Sequence, residues 1–577
     1  MTRVARNALL SPTALMLSAL LLGSPAAGVE TGLNNLAGTY LAARTADVQK
    51  DFPSAARFYR SALQADPSDL FLLERSLLLT TAAGDVKQAI SLAERLLDEA
   101  PDSHIAKLVL AVDQIAKTHY SEAVAALDGK GAGVLADLTA ALLVAWARFG
   151  EGEVDKALAG LAKLKGEEWY EPFKLLHSGN ILLASGRTEE ALKTLGEART
   201  LDPNAIRITE AYARALAVAG RKNQADAALA EFLTRYPDNP LGRAAREEIR
   251  SGKEPIMTVA TPVAGAAEAL AGIGAAVGQE GGVEVAALYL HLALYLDPQI
   301  AGGLAALSLG NLLDESDQGE AAIEVYESIA PDAPFRALGV LRAALTLDRM
   351  DRTDEAEKAF QEALRRSPDD IQAYISYGNM LRGRERFAEA AEVYSKAVTR
   401  MPEPSRADWS VFYFRGIAYE RTDEWAKAEA DFKKALDLYP DQPLVLNYLG
   451  YSWVDKGENL EEALAMIRKA VELRPNDGYI VDSLGWAYYR LGRYEDAVTE
   501  LERAVALKAD DPVIHDHLGD AYWKTGRLLE AQFQWRHARD FGAEGEELEL
   551  ILKKISEGRL IEPQKDAAFN SVKSSPL

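Results

Sequence analysis

Alanine recurs at a nearly constant interval along this chain of 577 residues. The series has two parts: six evenly spaced alanines and, after a wider gap, eight more at almost the same interval. A period of about 34 residues means that one supersecondary unit is copied along the chain, and it disfavours a globular enzyme built around one cleft. The fourteen alanines are Ala55, Ala89, Ala123, Ala157, Ala191, Ala225, Ala286, Ala322, Ala356, Ala390, Ala428, Ala463, Ala497 and Ala531.

The clearest copy of the unit, 478–511, predicts a pair of helices. Gly485 and Tyr488 lie on one stripe of a first helix, which ends at Gly492 because glycine suits the left-handed turn after a helix. A second helix follows with small and apolar residues at spacings of 4 and 3, beginning at Ala497. In nine copies a proline stands twelve residues after the alanine and ends the second helix: Pro67, Pro101, Pro203, Pro237, Pro298, Pro368, Pro402, Pro440 and Pro475.

This pattern of a small residue, an aromatic residue, an alanine-lined second helix and a closing proline resembles the tetratricopeptide repeat (TPR). It is most regular over 337–541 and degenerate in the first half, where aromatic residues are few. The resemblance implies an all-α TPR α-solenoid, a right-handed superhelix of fourteen helix-turn-helix repeats that binds protein partners. The predicted segments are six degenerate repeats over 36–240, an irregular junction over 241–266, eight repeats over 267–541, a capping helix over 542–560 and a disordered tail over 561–577.

The first residues predict export. Arg3 and Arg6 precede an apolar run, 14–22, and a segment of small residues, 23–28, which is the order of a secretory signal peptide over 1–28. The run is shorter than the roughly 20 apolar residues of a membrane-spanning helix, and no later stretch predicts an integral membrane anchor. We therefore expect a periplasmic protein. The alternative is a cytoplasmic protein with a leucine-rich N-terminal helix.

Composition disfavours several classes of function. The net charge of −23 argues against nucleic acid as a partner, because phosphate binding needs a basic surface. The chain has no cysteine, which excludes thiolate catalysis, iron–sulfur clusters and cysteine zinc sites. His515 and His517 are two residues apart, unlike the pair four apart in a helical zinc site. We expect no catalytic residues, no cofactor and no metal, and hence no enzyme.

The remaining candidate is a protein-binding surface. In TPR proteins the concave wall is made by first-helix residues that do not face the neighbouring repeat, and here several of them are aromatic rings or arginine among carboxylates, the composition of binding hot spots. Asp482 and Asp516 disfavour a ligand with a terminal carboxylate. The alternative is that Trp486 and Trp523 simply pack between repeats. The predicted partner-binding residues are Asn447, Tyr451, Tyr479, Asp482, Trp486, Tyr489, Arg490, Asp516, Asp520, Trp523 and Lys524.

The last three repeats carry a narrower resemblance. Their segments LNYLGYSWVD, DSLGWAYYRLG and HDHLGDAYWKTGR are similar to the exported TPR adaptors of carboxyl-terminal processing proteases in Gram-negative envelopes. This resemblance implies a scaffold that brings such a protease to cell-wall hydrolases, although the chain lacks the lipidated cysteine of that family. The alternatives are an exported TPR subunit of outer-membrane or polysaccharide-export machinery and a cytoplasmic assembly scaffold.

Overall fold

The computed structural model describes residues 36–127, 133–164, 169–253 and 256–561. The predicted signal peptide, 1–28, and all but the first residue of the predicted tail lie outside the described residues. Within them the regular elements are α-helices and two short 3-10 turns, and no strand occurs. The chain divides into two compact units, 1–359 and 360–577, which are described separately below.

The first unit holds nine helix pairs, the last of which extends into the second unit, and one single helix. The pairs are α1 (Leu36–Val48) and α2 (Phe52–Ala65), α3 (Leu70–Ala82) and α4 (Val86–Glu99), α5 (His104–Ala116) and α6 (Tyr120–Leu127), α7 (Val134–Gly150) and α8 (Val154–Lys163), α9 (Tyr170–Ala184) and α10 (Thr188–Leu201), α11 (Ile206–Val218) and α12 (Lys222–Arg235), α14 (Pro262–Gln279) and α15 (Val283–Leu296), α16 (Leu304–Glu315) and α17 (Gly319–Glu327), and α18 (Arg336–Arg349) and α19 (Thr353–Arg366). The single helix is α13 (Pro240–Arg250).

The second unit begins within α19 and continues with five helix pairs and a final helix. These are α20 (Ile371–Gly383) and α21 (Phe387–Arg400), α22 (Trp409–Arg421) and α23 (Trp425–Leu438), α24 (Pro443–Lys456) and α25 (Leu460–Leu473), α26 (Gly478–Arg490) and α27 (Tyr494–Leu507), α28 (Pro512–Lys524) and α29 (Leu528–Asp540), and α30 (Gly545–Glu557). The described residues thus form fourteen helix pairs, which confirms the predicted all-α TPR solenoid class. None of the described helices is both long and apolar enough to cross a membrane.

The fourteen periodic alanines lie where the two helices of each pair meet, and all of them are fully buried. Opposite them the first helix offers a small residue so that a large side chain of the second helix fits. A Cβ added at Gly310 would lie 2.3 Å from the ring of Tyr326, and one at Gly519 would lie 2.5 Å from the ring of Trp535. The regular spacing of small residues therefore follows from close contacts between helices, because protein interiors are packed too densely to accept an added side-chain atom there.

Helix α13 occupies the start of the segment expected to be irregular. Asn239 caps its first turn by accepting a hydrogen bond from the backbone N–H of Gly242, and Pro240 stands at a helix start, where it loses no hydrogen bond. Arg246 and Arg250 both bind Asp226 of α12, at 2.8 and 2.6 Å. The glycine and prolines of this segment therefore end and start helices, and the described residues between α13 and α14 lie outside regular structure.

The pair α14–α15 departs from a simple series of repeats. It packs against first helices of earlier pairs in the first unit, far away in sequence. Glu284 of α15 binds Arg75 of α3 at 2.8 Å, and the Tyr295 hydroxyl donates to Asp113 of α5 at 3.1 Å. A Cβ on Gly265 of α14 would lie 2.1 Å from Trp146 of α7, so these two helices are in direct contact. The side of the first repeats that their first helices form is therefore occupied by this pair.

Candidate partner-binding surface

The predicted partner-binding residues fall on three consecutive first helices of the second unit. We call the side formed by such helices the first-helix face. Asn447 and Tyr451 belong to α24, Tyr479, Asp482, Trp486, Tyr489 and Arg490 to α26, and Asp516, Asp520, Trp523 and Lys524 to α28.

Three aromatic rings form a stack on this face. Trp486 lies parallel to Tyr489, with ring centroids 4.7 Å apart and 7° between the planes, and it stacks on His517 of the next repeat at 4.0 Å and 15°. Tyr489 and His517 are buried, whereas Trp486 is half-buried. The ring stack (Tyr489, Trp486 and His517) therefore presents one tryptophan edge to solvent on a rigid support.

Asp482 fixes the histidine of the ring stack. Its two carboxylate oxygens lie 3.0 and 3.1 Å from Nδ1 of His517. Burial opposes protonation of His517, but the neighbouring carboxylates of Asp482, Asp516 and Asp520 outweigh it and raise the pKa of His517 above its usual value. The spacing of His515 and His517 argues against a helical zinc site but does not reveal this role of His517. The spacing of about one repeat period between Asp482 and His517 is the signal that places them on adjacent repeats.

The carboxylates of α28 hold a lysine of the last helix. Nζ of Lys554 lies 2.7 and 2.9 Å from the oxygens of Asp516 and 2.7 and 2.9 Å from those of Asp520. The Trp535 indole N–H donates to Asp520 at 2.9 Å. We call Asp516, Asp520 and Trp535 the diacid recess. Burial raises the pKa of Asp520 to about 6, against the opposing effect of Lys554.

The position of Lys554 follows from the repeat register. Lys554 stands one repeat period after Asp520, so α30 takes the place that the first helix of a further repeat would occupy. The Lys554 side chain is 1% exposed. Asp516 and Asp520, predicted from the sequence to contact an external partner, thus bind a side chain of this chain.

The other predicted residues lie at the margins of the same face. Arg490 binds Asp455 at 2.9 Å, and Nζ of Lys524 lies 5.8 Å from the ring centroid of Tyr494. Trp523 is half-buried beside Trp535, with ring centroids 5.7 Å apart. Trp486 therefore packs between repeats, whereas Trp523 packs against the second helix of its own repeat, and both remain partly accessible.

Two further predicted residues line the face, and one flanks it. Tyr451 and Asn447 of α24 are half-buried, and Oδ1 of Asn447 has no hydrogen-bond partner among the described residues. Nζ of Lys508 lies 5.1 Å from the ring centroid of Tyr479.

No metal centre accompanies these side chains. Across the described ranges no group of three or more His, Asp or Glu residues is arranged to hold a metal ion. The chemistry of the surface is thus that of stacked rings and paired charges.

Consecutive helix pairs with small residues at their contacts are the defining feature of a helical-repeat protein. Comparison with protein families identifies the type of repeat. Models described as "Tetratricopeptide repeat" match residues 182–249, 341–405 and 409–442, and one described as "TPR repeat" matches residues 485–526. The chain is therefore a tetratricopeptide repeat protein, and the predicted family is confirmed. Such repeats make scaffolds that bind other proteins and are typically not catalytic.

Individual relatives share only part of their length with this chain. It is 30% identical over 193 residues to the TPR repeat-containing protein PA4667 of Pseudomonas aeruginosa, a match covering 33% of this chain and 32% of that protein. It is 25% identical over 217 residues to the RNA polymerase-associated protein CTR9 of Caenorhabditis elegans, covering 35% and 18%. The structure of the APC/C hetero-tetramer Cut9–Hcn1 aligns over 90% of this chain and 96% of that chain, with 16% identity and a TM-score of 0.36.

Proposed function

We propose that this protein is an exported, non-catalytic adaptor that captures a partner protein on the first-helix face of its second unit. The single observation that carries the proposal is the ring stack, in which the accessible Trp486 is supported by two buried rings and by the Asp482–His517 pair. Preorganised aromatic anchors of this kind supply most of the binding energy at protein interfaces.

The first unit is a weaker candidate for the same role. Its first-helix face carries α14 and α15, whose Ala266, Leu270 and Ile273 are almost fully buried. Releasing such a pair would expose a large apolar area, at about 25 cal/mol for each Å². The proposal therefore assigns partner capture to the second unit and a supporting role to the first.

Within this function we propose a protease of the carboxyl-terminal processing type as the partner and cell-wall hydrolases as its substrates. The support is the similarity of the last three repeats to adaptors of such proteases and the signal-like order of residues 1–28. A subunit of outer-membrane or polysaccharide-export machinery and a cytoplasmic scaffold are the competing outcomes of the test.

The test is affinity purification from envelope extracts with three versions of the full chain. Wild type is compared with Trp486→Ala and with Phe533→Ala, which removes a ring that is 59% exposed on α29, outside the proposed surface. We expect a serine protease to co-purify with wild type and Phe533→Ala and to fall about tenfold with Trp486→Ala. Equal recovery with all three versions overturns the surface assignment.

Two further outcomes separate the alternatives. Porters or glycan synthases in place of a protease favour export machinery. An intact Met1 on the protein from a soluble cell fraction, detected by N-terminal sequencing, removes both exported roles.

A further inference from the structure

The last helix packs on its repeat through one face. Of the residues of α30, Ile551 and Lys554 are buried, Leu548 and Ile555 are partly buried against the core, and Leu552 is 44% exposed. Gly542, in the segment that joins α29 to α30, and Gly545, the first residue of α30, both have positive φ, a conformation that glycine adopts without strain. Helix α30 is therefore a short element on a permissive connection, and its two fully buried anchors are Ile551 and Lys554.

One of these two anchors, Lys554, occupies a recess that favours a particular chemical group, an ammonium group. The diacid recess surrounds an ammonium group with four carboxylate oxygens within 2.9 Å, and Nζ of Lys554 also lies 5.9 Å from the ring centroid of Trp535. A primary ammonium group on a long aliphatic stem reaches both carboxylates at this depth. Ile551, three residues earlier and one turn away, lies on the same face of the helix. The diacid recess is thus suited to bind an amphipathic helix that carries an aliphatic residue three positions before a lysine.

The ion pairs contribute more to selectivity than to affinity. Removing two carboxylates and an ammonium group from water costs about as much as their attraction returns, so a buried pair fixes a register without adding much net stability. Glu547 of α30 opposes docking further, since burial and the nearby Asp516 raise its pKa to about 7. The short connection nevertheless holds α30 near the recess at an effective concentration of about 1 mM, which keeps a weakly bound helix in place.

We propose that the diacid recess is a docking site for a lysine-bearing amphipathic helix of a partner protein, and that α30 is an intramolecular occupant which the partner helix replaces. The proposal rests on the proposed function, because Asp516, Asp520 and Trp523 belong to the proposed partner surface. Charge complementarity commits the recess to a cationic helix: two carboxylates that lose Lys554 need another ammonium group.

The test uses the full chain and a fluorescein-labelled synthetic peptide with the sequence of 545–557. Binding is followed by fluorescence anisotropy to wild type, to Lys554→Ala and to Lys553→Ala, the last removing the exposed neighbour of Lys554. We expect the peptide to bind the Lys554→Ala chain at least about tenfold more tightly than wild type, where α30 competes. The Lys553→Ala chain should behave as wild type.

Two more variants identify the contact. A peptide with alanine in place of the lysine that corresponds to Lys554 should lose binding to the Lys554→Ala chain. The chain Lys554→Ala/Asp516→Asn/Asp520→Asn relieves any repulsion between the two carboxylates and should also lose binding of the original peptide. Equal binding of both peptides, or no gain on Lys554→Ala, overturns the proposal.

Failure of this proposal is distinguishable from failure of the proposed function. Peptide binding to the Lys554→Ala chain, together with partner recovery that Trp486→Ala leaves unchanged, retains the recess and removes the ring stack as an anchor. Loss of partner recovery with Trp486→Ala, without any peptide binding, retains the ring stack and removes the recess.

Discussion

Arg207 of α11 donates two hydrogen bonds to Glu268 of α14, at 2.8 and 2.6 Å, inside the first unit. The two residues are 61 positions apart, and both side chains are largely buried. This pair fastens the α14–α15 hairpin to the first-helix face of an earlier repeat. The contacts that hold the first unit together are therefore not limited to those between adjacent repeats.

We predict that Glu268→Ala destabilises the first unit by about 3–5 kcal/mol, because it leaves the Arg207 guanidinium buried without its main partner. The measurement is the free energy of unfolding by chemical denaturation, followed for the first unit by hydrogen exchange. Glu190→Ala is the control, because Glu190 also pairs with an arginine but at an exposed position. Equal unfolding midpoints for the two variants would contradict the prediction.

The repeat period predicted the fourteen helix pairs because each pair depends on contacts within one copy of the unit. Ala55 and Ala531 fill equivalent buried positions at opposite ends of the chain, so one rule identifies both. The return of α14–α15 depends on contacts such as Arg75 with Glu284, 209 residues apart, and no periodic signal encodes them. The packing within each repeat could be predicted from the sequence, whereas the contacts of α14 and α15 with earlier repeats could not.

In the candidate site, too, the local placement of residues could be predicted from the sequence, whereas a longer-range contact could not. Register alone placed Trp486 and Asp520 on first helices of adjacent repeats. The repeat register did not show that Asp520 is bound by Lys554, because the sequence of α30 predicts only a capping helix. The interval from Asp520 to Lys554 contained that information, since it equals one repeat period and places a cation where the next repeat would begin.

A second prediction concerns the repeat contact itself. Ala497→Leu should destabilise the second unit by about 1–3 kcal/mol, because the position is fully buried and a larger side chain forces neighbouring atoms to move. Glu495→Leu places the same leucine on the exposed side of the same helix α27, where it meets no packing conflict. The two chains are compared by denaturant unfolding. Equal stabilities would show that the alanine is not sterically required.

A third prediction concerns acid sensitivity of the first unit. Burial lowers the pKa of His177 to about 4, and its Nδ1 accepts a hydrogen bond from the Trp146 indole N–H at 3.0 Å. The folded chain therefore binds fewer protons than the unfolded chain between about pH 4 and pH 6.5, and stability falls as pH falls through that window, by about 3 kcal/mol for this group. Hydrogen exchange of α9 at several pH values measures the loss.

His177→Gln provides the matched control for acid sensitivity. Glutamine keeps a hydrogen-bond acceptor for Trp146 and does not titrate, so the loss between neutral pH and about pH 5 should shrink. An unchanged pH dependence in this variant would assign the effect to other groups, among them His291, whose pKa burial also lowers to about 4.

The last helix should respond to acid in the opposite direction. Burial and the nearby Asp516 raise the pKa of Glu547, which lies on α30, to about 7. Undocking exposes Glu547 and returns its pKa toward the ordinary value of a glutamate, so for this group the docked state binds more protons than the undocked state; docking of α30 therefore strengthens as pH falls through about 7 and weakens as pH rises through it. We expect amide exchange in α30, corrected for its intrinsic pH dependence, to be slower at about pH 6 than at about pH 8. Glu547→Gln, which removes one titrating carboxylate, should reduce the difference, and faster corrected exchange at the lower pH would contradict the electrostatic account of the diacid recess.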